Sequence, residues 1–213
     1  SFWYSVLHDT DKLCSMIFDT DINMETWHKQ KAILNSKADV SNIELAFATF
    51  FLNRTNRSGI LNAGVIGGYS QSGKWKLDAR FNKKDLLNRI EKIANQKDRI
   101  KLTSMDSVEL IKSFDEKYCN ESFVYLDPPY YVKGQGLYRN FYTHKDHINI
   151  RDTLLSSKLK NWVISYDAAQ EIKNIYSNFR TINYSLRYSA QNKRNGSEIM
   201  IYSPYILIPN MNL

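Results

Sequence analysis

The sequence predicts an α/β fold built on a mostly parallel sheet, and three observations carry that prediction. Phe123, Val124, Tyr125 and Leu126 form a short apolar, β-favouring run without helical spacing, of the kind a strand buried on both faces shows. Asn161 to Ser165 (Asn-Trp-Val-Ile-Ser) repeats that pattern. Between such runs lie stretches of helical period, for example Leu86, Leu87, Ile90 and Ile93. Strands alternating with helices predict right-handed βαβ units. At 213 residues the chain supports one substantial core with a small appended lobe.

Taken in order, the chain opens with helices. Asp11 is placed to cap one that runs through Phe18, and Met24 to Asn35 sets Trp27, Lys31 and Leu34 on nearby faces of a second. Ser41-x-x-Glu44 has the spacing of a capping box ahead of Ile43, Leu45, Phe47, Phe50 and Phe51, which predicts a buried helix from about Asn42 to Arg54. That helix delivers Asn53, Arg54, Thr55, Asn56, Arg57, Ser58 and Gly59 to its C-terminal end. Gly67, Gly68 and Gly73 bracket an expected hairpin, with Lys74, Trp75 and Lys76 beyond its turn. Gly64-Val-Ile-Gly67-Gly68 is not a nucleotide fingerprint, because it follows a turn and opens no clear helix.

Asn82 is placed to cap the next helix, and Ile100 to Leu102 reads as a short strand followed by Asp106 at a helix start. The Phe123 run then stops at Asp127-Pro128-Pro129-Tyr130. Each proline fixes its own φ and pushes the preceding residue out of the α region, so the chain leaves the strand rigid and extended. A carboxylate and an aromatic face are thereby expected at the carboxyl end of a strand, where open α/β sheets bind ligands. An exocyclic amine is a poor nucleophile, because its lone pair is delocalised into its ring. An acceptor such as Asp127, with the Pro128 carbonyl beside it, can hold the amine hydrogens while Tyr130 stacks on the ring.

Beyond the motif, Gly134 and Gly136 flank Tyr138, Arg139 and Tyr142, which suits either a loop closing on a base or a plain surface loop. Thr143-x-x-Asp146 is a helix start, and His144 and His147 beside it lack the further ligands a metal site needs. Asp167-x-x-Gln170 has the spacing of another helix cap, and strands near Phe179–Tyr184 and Glu198–Tyr202 finish the pattern.

Charge is unevenly placed. The chain carries +7, and the stretch from Arg54 to Lys101 holds 12 Lys and Arg against four Asp and Glu. From Lys83 to Lys101 these charges fit a solvated helix face as well as a ligand surface. Between Arg54 and Arg80 they interleave with Asn53, Asn56, Tyr69, Gln71 and Trp75, a mixture that can meet phosphates through cations and base edges through amides. Arg54 or Arg57 taken singly is equally suited to the last carbonyls of the helix. No apolar run approaches the roughly 20 residues a membrane span needs. Two cysteines, Cys14 and Cys119, suggest no disulfide framework, so a cytoplasmic setting is expected.

Asp127-Pro-Pro-Tyr130 after a hydrophobic strand resembles the catalytic motif of the amino-methyltransferases. Phe51-Leu-Asn-Arg-Thr-Asn-Arg-Ser-Gly59 resembles a second signature, the Leu-Asn-Arg helix end of the Dam-like adenine methyltransferases. The Gly-rich basic stretch, the Asp106 segment, Phe141-Tyr-Thr-His-Lys-Asp-His147 and Ile164-Ser-Tyr-Asp167 follow in the order of that group, so the likeness spans essentially the whole chain. The resemblance implies a Rossmann-like, S-adenosylmethionine-dependent methyltransferase sheet with an inserted helical and hairpin target-recognition lobe. It divides the chain into residues 1–38, a helical part of the catalytic domain, 39–99, the DNA-binding lobe, and 100–213, the catalytic α/β domain. The implied reaction is methyl transfer to N6 of an adenine flipped out of double-stranded DNA, without a metal.

The resemblance makes Asp127, Pro128, Pro129 and Tyr130 catalytic, with Asp106 and Asp127 at the cofactor. DNA would be met by Asn53, Arg54, Asn56, Arg57, Lys74, Lys76, Tyr138 and Arg139. An antiparallel hairpin turning at Asn192 to Gly196 would close the sheet. The group's two cofactor-binding strands, one ending in a Phe-x-Gly motif, have no counterpart after Ser1. A separate or missing N-terminal segment is therefore expected to supply them. A catalytically incomplete DNA-binding subunit, or an enzyme acting on RNA or on cytosine N4, fits the same motifs.

Overall fold

The structure is a computed structural model that describes residues 1–36, 39–114, 116–132, 142–187 and 195–207. It divides into two compact units, Ser1–Thr103 and Ser104–Leu213, each with its own apolar core, in place of the single core expected from chain length.

The first unit is helical: α1 (Phe2–His8), α2 (Thr10–Asp19), α3 (Met24–Asn35), α4 (Asn42–Thr55) and α5 (Lys83–Ala94). Helix α4 organises it. The Ser41 hydroxyl accepts from the Glu44 N–H, and the Glu44 carboxylate accepts from the Ser41 N–H, so the capping box is complete. Beyond it Ile43, Ala46, Phe47, Phe50, Phe51 and Leu52 are all buried, so α4 is apolar on nearly every face and lies inside the unit. Helices α1, α2 and α3 pack against it, and Phe81 sits with its ring centroid 5.4 Å from that of Phe51. Residues 1–38 and 39–99 thus share one core, and residue 38 is no boundary between cores. Helix α2 starts after Asp9, not Asp11, which lies in its first turn.

The segment after α4 forms no hairpin of strands. A one-residue bridge joins Asn56 to Val65, and turns follow in which the Gln71 side chain replaces a ladder. Its Nε2 donates to the Ile66 and Gly68 carbonyls at 2.8 and 2.7 Å, and its Oε1 accepts from Leu77 N–H at 3.0 Å. Gly67 has a φ of +85°, and a Cβ there would lie 2.7 Å from the Trp75 carbonyl oxygen, so this turn requires glycine.

The second unit holds α6 (Ser107–Lys112), α7 (Glu116–Glu121), β1 (Val124–Leu126), α8 (His144–Ser156), β2 (Trp162–Asp167), α9 (Gln170–Ile175), β3 (Arg180–Arg187) and β4 (Asn195–Tyr202). The four strands lie in the order β1-β2-β4-β3. Among the described residues only β1 and β2 pair in parallel; β4 runs antiparallel to both neighbours, so the sheet is mixed where a mostly parallel one was expected. The β3–β4 hairpin is present; of its expected turn at Asn192 to Gly196, Asn195 and Gly196 instead begin β4, and residues 192–194 lie outside the described residues.

Strand β2 is buried along its whole length between β1 and β4. Strand β1 ends the strand order and, among the described residues, pairs on one side only. Phe123 and Tyr125 are 64% and 55% exposed, so this strand is not covered on both faces as its composition suggested. Ile100 to Leu102 forms no strand either: nothing pairs with it among the described residues, and both apolar side chains are exposed. Helix α9 is capped at Ala169, because Asp167 is the last residue of β2. Among the described residues no helix is long and apolar enough to cross a membrane.

Asn56 offers a direct stability test. It is fully buried, accepts from Trp27 Nε1 at 2.7 Å and donates to the Ile60 and Leu61 carbonyls at 3.1 and 2.9 Å. Replacing it with Ala strands a buried indole N–H, so Asn56→Ala is expected to cost about 2 kcal/mol or more in urea unfolding. A wild-type unfolding midpoint would contradict this role.

Candidate active site

Strand β1 stops because Pro128 and Pro129 have no N–H to donate to a ladder, and the chain is released at Asp127. Parallel pairing sets Tyr125 and Leu126 opposite Val163 and Ile164, which brings Ser165 beside the released carboxylate. Ser165 Oγ donates to Asp127 Oδ1 at 3.0 Å and lies 2.7 Å from Tyr125 Oη. A serine hydroxyl has one proton, and Asp127 receives it, so Tyr125 donates to Ser165. The relay fixes one carboxylate oxygen of an otherwise exposed side chain.

Asp127 stands at a cavity of about 290 Å³. Leu110, Ile111, Phe114, Val124 and Ile150 give it apolar walls, and Ser107 and Tyr142 add hydroxyls 3.2 Å apart. Asp106, expected at the cofactor, caps α6 by accepting from Val108 N–H at 2.9 Å; the next residue, Ser107, is the one that lines the cavity.

The chain beyond the prolines is held by side chains to which sequence reasoning gave no role at this site. Tyr130 Oη donates to Glu198 Oε1 at 2.7 Å, and Asp167 accepts from the N–H groups of Tyr131 and Val132 at 2.8 and 2.9 Å. A signal for Ser165 and Asp167 does exist: they recur at period two within the buried run Trp-Val-Ile-Ser-Tyr-Asp, where polar residues need partners. The Tyr131 ring packs against His144 and His147. His147 is fully buried, with Nδ1 3.0 Å from Tyr166 Oη and, among the described residues, no hydrogen-bond partner for Nε2. Burial lowers its pKa, against the opposing pull of the Asp146 and Asp167 carboxylates. Among the described residues no cluster of His, Cys, Asp and Glu could hold a metal ion.

The expected DNA contacts fall into four groups. Arg57, Lys74 and Lys76 are exposed; the Lys74 ammonium lies 5.7 Å from the centroid of the Trp75 ring, and Lys76 bonds the Gln71 carbonyl. Asn53 and Arg54 are partly committed. Asn53 donates to the Gly59 carbonyl at 2.9 Å, and the half-buried Arg54 guanidinium donates to the Arg80 carbonyl at 3.0 Å. Asn56 is corrected: its amide is spent inside the core, and no base edge can reach it. Tyr138 and Arg139 lie outside the described residues.

Residues 2–190 match a family model described as D12 class N6 adenine-specific DNA methyltransferase. No curated protein matches the chain.

The buried His147 gives the site a pH signature. Its folded pKa lies below that of the unfolded chain, so the unfolded state takes up the proton first and stability falls as pH drops below about 6.5. Melting temperatures measured between about pH 7.5 and about pH 5.5 are expected to decline less steeply for His147→Gln than for the wild type. Equal slopes would remove His147 as the source.

Proposed function

Because the chain belongs to the D12 class N6 adenine-specific DNA methyltransferase family, we propose that it moves a methyl group to N6 of an adenine everted from duplex DNA and received by Asp127 and Tyr130. The observation that carries this reading is the exposed Asp127 carboxylate at the mouth of a largely apolar cavity, next to the braced Tyr130. The family uses S-adenosylmethionine, whose sulfonium supplies an already activated methyl group. The cavity suits that donor: its apolar walls can take a flat ring, and the nearby carboxylate favours a cation. Asp106 and Ser107 are the first residues we assign to hold it, with Asp127 beside its charged end.

Adenine N6 is reluctant to attack because its lone pair is shared with the ring. Asp127 accepts an N6 hydrogen, the Pro128 carbonyl offers a second acceptor, and the nitrogen becomes more tetrahedral. The hydrogen bond from Ser165 keeps the carboxylate aimed. Tyr130 offers its ring face to the base. Extruding the base costs roughly a few kcal/mol, which stacking and these acceptors offset. The rate then depends on alignment for in-line attack, so rigid placement of Asp127 matters more than any covalent step.

We read the four-stranded unit as the Rossmann-like catalytic part and residues 39–99 as the DNA-recognition lobe. There Arg57, Lys74 and Lys76 meet phosphates, while Asn53 and Arg54 contribute with the groups their internal bonds leave over. The exposed rings of Tyr69 and Trp75 add apolar surface to this basic stretch.

Asp127→Ala is expected to lower the turnover of labelled-methyl transfer by about 10²-fold or more while DNA affinity is kept. Near-normal turnover would sink the assignment, and digestion of the product is expected to yield N6-methyladenine. Replacing Arg57, Lys74 and Lys76 together by Ala is expected to reduce the slope of log K against log salt by about 2 to 3. An unchanged slope would exclude them from the DNA surface.

A further inference from the structure

Two acidic side chains remain outside this chemistry, and their placement is costly. Asp167 on β2 and Glu198 on β4 are 6% and 3% exposed and occupy directly facing positions of the antiparallel ladder. Facing residues project from the same side of a sheet, and like charges set opposite one another destabilise it. Burial adds a desolvation cost that only donated hydrogen bonds offset.

Most of those donors come from one short segment, the chain that emerges from Pro129. Glu198 takes the Tyr130 hydroxyl on Oε1 and the Tyr184 hydroxyl on Oε2, both at 2.7 Å. Asp167 takes Tyr131 N–H on Oδ1 and Val132 N–H on Oδ2. The two carboxylates thus grip successive residues 130, 131 and 132, one by a ring oxygen and the other by main-chain amides.

We propose that Glu198 and Asp167 are positioning residues that set the place of the Tyr130 ring and the path of the chain behind it. The inference rests on the reading that Tyr130 stacks on the everted adenine. A tyrosine fixed only at its Cα can turn about two torsions, and tying down its far oxygen fixes the first, which decides where the ring lies. The main-chain grip of Asp167 stops the backbone from following a turning ring. The proline pair holds φ upstream of Tyr130, and the carboxylates hold the residue from the other side. A misplacement of about 1 Å at a reacting centre costs up to about 10²-fold in rate, so such a clamp bears on turnover and not only on folding.

The chemistry separates positioning from bulk stability. Glu198→Gln keeps an acceptor for Tyr130 while its amide can donate to the Tyr184 oxygen, whereas Glu198→Ala offers neither. Tyr130→Phe keeps the ring face and deletes only the tether.

The test is a double-mutant cycle in the full-length protein on two readouts: single-turnover methyl transfer with DNA affinity, and urea unfolding. Tyr130→Phe and Glu198→Ala are each expected to slow single-turnover transfer by about 10- to 100-fold with DNA Kd changed less than about threefold. The double variant should be no slower than the slower single, and Glu198→Gln should recover most of the rate. Multiplying losses, losses confined to Kd, or Glu198→Gln as slow as Glu198→Ala would overturn the clamp. Absence of methyl transfer by the wild type would instead overturn the functional reading. The urea cycle then decides the clamp alone: coupled effects support it, and additive ones overturn it.

Discussion

Two consecutive prolines at the end of β1 are the constraint on which the second unit depends. They end the ladder by removing two donors, and they leave a stretch of chain that the sheet can no longer hold through its backbone. Side chains of the neighbouring strands take over: Ser165 holds Asp127, Asp167 holds the amides of Tyr131 and Val132, and Glu198 holds the Tyr130 hydroxyl. The break in regular structure and the polar cluster around it are therefore one feature. Because the acceptors sit on buried strands, the segment that leaves the sheet inherits the rigidity of the sheet.

The same economy of polar groups governs the first unit, with a different result. Helix α4 ends in a run of amides and guanidinia, and the fold draws several of them inward. Asn56 ties Trp27 to the loop at residues 60–61, Asn53 closes the turn at Gly59, and Arg54 reaches the Arg80 carbonyl. Arg57, Lys74 and Lys76 stay exposed. A run that looks uniform in sequence is thus divided between holding the helix end in place and presenting charge outward.

How much of this was legible follows from what each signal encodes. Capping chemistry is local, so Ser41, Asn82, Asp106 and Thr143 all begin helices as N-caps and the α3 boundaries fall where the sequence put them. The Asp-Pro-Pro-Tyr break is also local, because proline acts through covalent geometry. Strand partners are not local. Composition marked Phe123–Leu126 as apolar but could not say that β1 would end the strand order, nor that β4 would run against β2. Ile100–Leu102 has strand composition and no partner among the described residues. Asp167 was read through its spacing to Gln170 as a cap, whereas its function is set by residues 35 and 36 positions earlier in the chain, a separation no local pattern can report.

The central claim, that Asp127 and Tyr130 receive an everted adenine, is tested most directly by a crystal structure of the protein with duplex DNA and the demethylated cofactor. The account expects an extrahelical adenine whose N6 lies within about 2.6–3.2 Å of an Asp127 carboxylate oxygen, with its ring face against Tyr130. A target adenine still paired in the duplex, or one everted into a pocket that Asp127 does not reach, would contradict it.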